Sequence, residues 1–193
     1  MSSSNRFKRK YVVKVPQNVK VLYCDKNNII TFIGPCQIKS LELDVKVFLA
    51  SKANLVVTNL LALETSSTNY NVVKRLQGTS VAKIRHALIE TTSTLYHRLN
   101  LTGVGYRVFP YNSVENQLYF KLGYSHLIYF RIPPTLKTHC QKFTKLFIFG
   151  NCSFDDLTHT ASQIRECKKP EPYKGKGILH SYEKVLLKKG KKI

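Results

Sequence analysis

Two pairs of segments in this chain echo each other at nearly equal separations. VPQNVKV at 15–21 resembles IPPTLKT at 132–138 (132 − 15 = 117), and IITFIG at 29–34 resembles KLFIFG at 145–150 (145 − 29 = 116). Self-similarity at so long a period is the mark of a duplicated supersecondary unit. A length of 193 residues holds two such units, each with a modest core. The expected fold is therefore α+β, with two tandem duplicated modules. Each is an antiparallel-rich sheet covered by one helix, and basic extensions lie at both ends.

The local pattern fills in this plan. VVKV and VKVLY bracket Pro16, Asn27-Asn28 supplies a turn, IITFI follows at 29–33 and Gly34-Pro35 closes the unit. This reads as a hairpin. Further strands are expected at 36–43, 45–50 and 54–61. The polar stretch from Ser66 to Gln77 reads as a connection with an Asn-Tyr-Asn turn signal. Thr79 or Ser80 then caps a first helix over 79–99, whose stripe is Val81, Ile84, Leu88, Leu95 and Leu99. Gly103 and Gly105 break that pattern before strands at 104–110, 117–123 and 126–132. In the middle one, Leu118, Phe120 and Leu122 alternate with Tyr119 and Lys121 as in a half-buried strand. A second helix is expected over 153–167, with Asp155 and Asp156 in its first turn and Phe154, Leu157, Ala161 and Ile164 facing inward. The resulting boundaries are a basic extension at 1–10, a first module at 11–100, a second at 101–167 and a tail at 168–193. The junction between modules falls near Leu99 to Thr102.

Charge sets the class of partner. Lys and Arg number 31 against 11 acids, a formal net charge of +20, which implies a polyanion, and nucleic acid first among polyanions. The excess sits at the ends. Arg6, Lys8, Arg9, Lys10, Lys14 and Lys20 face no acid in the first twenty residues, and 168–193 carries nine lysines against Glu171 and Glu183. No apolar run approaches the roughly 18 residues of a spanning helix, so no membrane insertion is expected. Five cysteines, Cys24, Cys36, Cys140, Cys152 and Cys167, make an odd number without a CxxC pair, which points to a reducing compartment. The Ser-rich, basic, acid-poor N-terminus faintly resembles an organellar transit segment. Lys exceeds Arg, Asn and Ile are frequent and Trp is absent, as an AT-rich genome would produce.

The most distinctive composition lies at KKPEPYKGKG, Lys168 to Gly177. Pro170 and Pro172 fix φ at alternate positions and bias Lys169 and Glu171 to extended conformations, so the segment is expected to project as a rod. Gly175 and Gly177 lack Cβ atoms and let the backbone approach another surface between the ammonium groups of Lys174 and Lys176. Tyr173 offers a face for base stacking. Lys168, Lys169 and Lys184 join the candidate RNA-binding set on charge and proximity.

PEPYKGKG, followed by Ile178 and then Glu183, resembles the C-terminal signature of large ribosomal subunit protein six, the universal L-six family. LTGVGYR at 101–107 and LGYSH at 122–126 resemble the opening of that family's second domain. The first half is similar to the family only in its pattern of strands and turns. The resemblance implies two domains of like fold. It also implies binding to large-subunit rRNA near the sarcin–ricin loop and the elongation-factor site, mainly through the second domain and tail, with neighbouring ribosomal proteins as further partners. Pro170, Glu171, Pro172, Tyr173, Lys174, Gly175, Lys176 and Gly177 take the signature's role. The family commonly carries an Arg and an aromatic just after KGKG, where this chain has Leu179 and His180, so no RNA contact is assigned to those two. A ribosome of the mitochondrial matrix is the expected setting, with a plastid or cytoplasmic ribosome as the alternative.

Other chemistry finds little support. Gly103-x-Gly105 lacks the third Gly of a dinucleotide fingerprint and the Lys-Ser/Thr of a P-loop, and reads as a chain bend after a helix. No GxSxG, HExxH or kinase-type set is present. Cys24 with Cys36 and Cys140 with Cys152 share a spacing of 12, which the repeat explains and which is not a zinc spacing. Cys167 next to Lys168 has no general base nearby in sequence. His126 is read as a loop histidine that bonds locally or approaches a phosphate. No enzyme activity, metal, cofactor or small-molecule substrate is expected. The alternative to a ribosomal constituent is a free-standing RNA chaperone or nucleic-acid-binding regulator.

Overall fold

A computed structural model describes residues 12–50, 55–58, 70–111 and 116–190. The extension at 1–10 and most of the connection before Tyr70 lie outside the described residues. The chain divides into two compact units between Ser93 and Thr94.

In the first unit, β2 (Lys20–Cys24), β3 (Ile29–Ile33) and β4 (Ile38–Glu42) form an antiparallel sheet in that order. Asn28, at φ 52°, makes the tight turn between β2 and β3, as the Asn-Asn signal requires. A second antiparallel sheet has the order β1 (Val12–Lys14), β6 (Leu55–Thr58), β5 (Val47–Ala50). Helix α1 (Tyr70–Thr92) packs against β1, β3, β4 and β6. Val13, Val19, Ile30, Phe32, Val81, Ile84 and Leu88 fill the space between. Beneath this cover the carboxylate of Glu90 is held 3.2 Å from Lys39 Nζ.

Helix α1 overturns the expected span of 79–99 at both ends. It starts nine residues early and passes through Gly78. Thr79 and Ser80 cap nothing; their hydroxyls donate to the Leu76 carbonyl at 2.8 and 2.9 Å, the back-bonding of hydroxyl residues inside a helix. The helix stops at Thr92, where the turn after β3 supplies the Cys36 N–H to the Thr91 carbonyl at 3.2 Å. Gly34 makes that approach possible, since a Cβ there would meet Thr91 O at 2.3 Å.

Leu95 and Leu99, assigned to the helix stripe, belong to a strand, β7 (Leu95–Thr102). The junction expected at Leu99 to Thr102 therefore lies inside the second unit. There β7 is central in a four-stranded antiparallel sheet, order β11 (Lys137–Gln141), β12 (Lys145–Gly150), β7, β13 (Gly177–His180). A smaller antiparallel sheet has the order β10 (Ile128–Arg131), β9 (Gln117–Lys121), β8 (Arg107–Pro110). Helix α2 (Phe154–Glu166) covers β7, β12 and β13. Ser153 caps it by accepting from the Asp156 N–H, and Asp155 and Asp156 occupy its first turn as expected. Leu99, Val108, Leu118, Phe120, Leu146, Ile148 and Ile164 are among the core residues. The presence of β13 corrects the view of 168–193 as a tail outside the second module, because β13 is the edge strand of the sheet, with Ile178 buried and paired with Leu101 of β7.

The two hairpins of the internal repeat are built alike. Val19 N–H donates to Pro16 O at 3.2 Å and Leu136 N–H to Pro133 O at 3.0 Å, so the same turn leads into each. Val19, Ile30 and Phe32 are buried in one unit where Leu136, Leu146 and Ile148 are buried in the other. They differ in the strand beyond. β3 pairs with β4, which follows it, whereas β12 pairs with β7, which precedes it.

Candidate nucleic-acid interface

Residues 168–177 form a closed loop between α2 and β13 instead of a projecting rod. The Ile178 N–H donates to the Lys168 carbonyl at 2.9 Å and closes the base. Between Pro170 and Pro172, which have no N–H, Glu171 donates to Lys176 O and accepts from Gly175 N, each at 2.9 Å. Thr102 Oγ1 at the end of β7 donates to Gly175 O at 2.7 Å and lies 3.1 Å from Gly177 O. From the far side the Lys188 N–H reaches the Pro172 carbonyl at 2.8 Å. Proline restricts φ but leaves the carbonyls available, and Gly175, in the left-handed region at φ 68°, turns the chain back.

The role expected of Gly177 also changes. Its Cβ would lie 2.6 Å from Pro170 Cα and 2.9 Å from the Lys169 carbonyl carbon, at a φ of 154°. The surface it approaches is its own chain. Gly177 is buried and Gly175 half-buried.

This closure presents the charged residues at fixed places. Lys169, Pro172, Tyr173 and Lys174 are exposed, as are the Glu171 side chain and Lys184 further on, while Pro170 and Lys176 are half-buried. The ammonium group of Lys168 sits 4.1 Å from the centroid of the Tyr124 ring, a cation–π contact. Tyr124 OH in turn donates to the Cys167 carbonyl at 3.3 Å, and its ring stacks on His126 at 5.6 Å. The two segments resembling the family's second domain are thus brought to the same place as the C-terminal one. Their glycines have one shared cause: Cβ atoms on Gly103 and Gly123 would lie 3.0 and 3.1 Å from the buried ring of Tyr106. The bend at Gly103 follows a strand, not the helix the sequence indicates.

Behind the loop, Leu179 is buried and His180 packs against β7. His180 Nδ1 lies 2.7 Å from His97 Nε2, so one ring donates to the other, and Tyr182 stacks on His180 at 5.4 Å. Burial lowers the pKa of both histidines, and for His97 the charge of His180 lowers it further. Arg165 at the end of α2 forms a two-pronged pair with Glu183, whose pKa this pair lowers. Glu183 Oε2 also accepts from the His180 N–H at 3.3 Å. The positions that depart from the family pattern therefore have internal partners. Burial raises the thiol pKa of Cys167, so Lys168 does not activate it. The five cysteines are thiols and form no disulfide with one another.

Tyr124 and Thr102 are not among the site residues expected from sequence. Tyr124 carries a signal, an aromatic in the LGYSH segment. Thr102 carries none, because the loop carbonyls it binds are 73 and 75 positions away.

The chain is 36% identical to large ribosomal subunit protein uL6 of Mycoplasmoides gallisepticum over 180 residues, 93% of each chain. The chain belongs to the uL6 family of large ribosomal subunit proteins. The Geobacter sulfurreducens uL6 is 31% identical over 188 residues, again 93% of both chains. The Rhodopseudomonas palustris uL6 is 38% identical over 122 residues, 63% of this chain and 67% of that one. No family model matches the chain. Membership in the uL6 family makes it a structural constituent of the large ribosomal subunit, at work in translation. These three relatives are bacterial; they support a ribosomal location and not a mitochondrial one. Among the described residues, no helix is long and apolar enough to cross a membrane.

Proposed function

We propose that this uL6-family chain binds and positions large-subunit rRNA through the closed loop at 168–177, near the sarcin–ricin loop and the elongation-factor site, beside neighbouring ribosomal proteins. The observation that carries this reading is the way the loop is tied. Backbone bonds from Glu171 and Lys188 and the Thr102 hydroxyl fix where Lys169, Lys174 and Lys176 stand, so little conformational entropy is lost when phosphates meet them. Release of counterions from those phosphates supplies affinity, and a rigid loop on a folded unit supplies recognition by RNA shape. Lys184 extends the same cationic surface. Glu171 serves through its backbone, while its exposed carboxylate excludes a phosphate from one side of the loop. The second module, with 168–193 as part of it, is the RNA-holding one in this reading.

Ultraviolet cross-linking of purified large subunits tests it. Peptides from Lys168–Lys184 are expected to carry rRNA fragments of the sarcin–ricin region; cross-links to another rRNA domain would refute the placement. If the endogenous chain stays at the top of a sucrose gradient while large subunits sediment, a free-standing RNA-binding role replaces the ribosomal one. The organellar setting rests on the basic, acid-poor N-terminus and the AT-rich composition, and an import assay with isolated mitochondria decides it.

A further inference from the structure

The outward face of the small sheet is made of aromatic rings and cations. In the register of β8, β9 and β10, Phe109 lies opposite Tyr119 and Tyr119 opposite Tyr129, so the three side chains share one face. Phe109 stacks on Tyr119 at 5.0 Å, and Phe143, from the turn between β11 and β12, adds to Phe109 at 4.8 Å. Tyr111 meets Tyr119 and Tyr129 edge-on at 6.4 and 5.8 Å. The alternate residues, Val108, Leu118 and Phe120, are buried in the core, so burial of apolar surface within the unit does not account for the outer five. Tyr129 and Phe143 keep 53% and 48% of their surfaces exposed.

Cations edge this platform. Arg107 stands directly opposite Lys121, and Arg131 and Lys142 are exposed at the ends of β10 and β11. The described strands β8, β9 and β10 contain no acid. Like charges placed directly across two strands destabilise a sheet. A phosphate between Arg107 and Lys121 removes that repulsion. The two requirements together, a flat π surface and a bound polyanion, select one class of ligand.

We infer that the outer face of β8–β9–β10 is a second RNA site, which takes an unpaired stretch with its bases stacked on Tyr129 and Phe143 and its phosphates on Arg107, Lys121 and Arg131. Stacking on aromatic rings tolerates any base, so the face recognises single-strandedness and not a sequence. It is separate from the loop at 168–177 in residues and in mode. One grips folded RNA by charge and shape, and the other holds a looped-out strand.

The test uses the full chain bearing Lys174→Gln and Lys176→Gln, so that the loop's contribution is reduced, and a short fluorescent oligouridylate as probe. Tyr129→Ala is expected to weaken binding at least about fivefold, the smallest effect usual for one stacked base, and Tyr129→Phe to restore it. An oligomer of the same length without bases is expected to bind no better to the parent than to Tyr129→Ala. Lys121→Gln is expected to lower the salt slope by about 0.7 while raising the thermal midpoint of the free protein, because it removes the repulsion from Arg107. Unchanged affinity in Tyr129→Ala, or binding of the base-free oligomer to the parent as tight as that of the oligouridylate, overturns the second site and leaves the loop reading intact. Should Tyr129→Ala fail to fold, the paired signature of Lys121→Gln decides, and loss of both stability and affinity there counts against the proposal.

Discussion

Gly177 and Pro170 touch backbone to backbone: a Cβ added to Gly177 would lie 2.6 Å from Pro170 Cα and 2.8 Å from its nitrogen. The loop that carries the cationic signature is therefore closed by a contact available to one residue type. Gly177→Ala adds a steric conflict at a φ of 154°, where alanine is strained as well. It is expected to destabilise the second unit by more than about 1 kcal/mol and to weaken RNA binding with no change of charge. Gly175→Asn keeps a residue that tolerates the left-handed conformation and is expected to retain most of the binding. Thermal unfolding and a filter-binding titration of the two variants check this, and wild-type melting of Gly177→Ala would contradict the geometry.

Charge at the loop makes a separate prediction. Lys174→Gln together with Lys176→Gln removes two cations held by a rigid backbone. The slope of log affinity against log salt is expected to fall by about 1.4 to 1.8, at roughly 0.7 to 0.9 for each phosphate no longer neutralised. The midpoint of unfolding is expected to stay put, since the bonds that close the loop come from its backbone and the Thr102 hydroxyl and not from either lysine side chain. An unchanged slope would make the two lysines bystanders.

Gly78 follows a polar stretch that reads as a connection, yet it lies inside α1. A Cβ there would meet nothing within 4 Å, and the conformation is helical, so alanine brings its helix propensity without a clash. Gly78→Ala is expected to stabilise the first unit by about 0.5 to 1 kcal/mol, measured by chemical denaturation. A loss of stability would show that α1 does not run through this position.

Both ends of α1 show where local sequence signals are ambiguous. Leu95 and Leu99 are four apart, which suits a helical stripe, but Leu99 and Leu101 are two apart, which suits a strand, and β7 uses the second spacing. The choice is made by β12, which pairs with β7 from Leu95 to Asn100. Where both signals agree, as in the alternation of Leu118 and Phe120 with Tyr119 and Lys121, the strand is legible. So is α2, whose acidic first turn and apolar stripe lie within one short segment. The candidate loop is legible in composition and not in shape. Its charges and glycines stand together in the chain, but the groups that close it, Thr102 and Lys188, are contributed from elsewhere. A rod is the natural expectation for prolines alone.

The last prediction concerns the histidine pair that backs the loop. His97 and His180 share one hydrogen bond at 2.7 Å, an arrangement that needs at least one ring neutral, and each has a pKa below the ordinary 6.5. The unfolded chain therefore binds more protons than the folded one over the interval below 6.5, and stability rises with pH there. The pair's contribution is complete above that value and is lost as the pH falls beneath it. Glu183, with its pKa lowered by Arg165 from an ordinary 4.5, loses its contribution only at more acid pH, so the two effects separate. Denaturation of the wild type at pH 7.5 and 5.5 is expected to show a fall in stability, and the double variant His97→Gln, His180→Gln a smaller one. β13 carries His180 and begins where the loop ends, so loosening the pair is also expected to speed amide exchange at Ile178, whose N–H closes the loop on Lys168. Equal pH dependence in the two proteins would assign the acid sensitivity to histidines elsewhere.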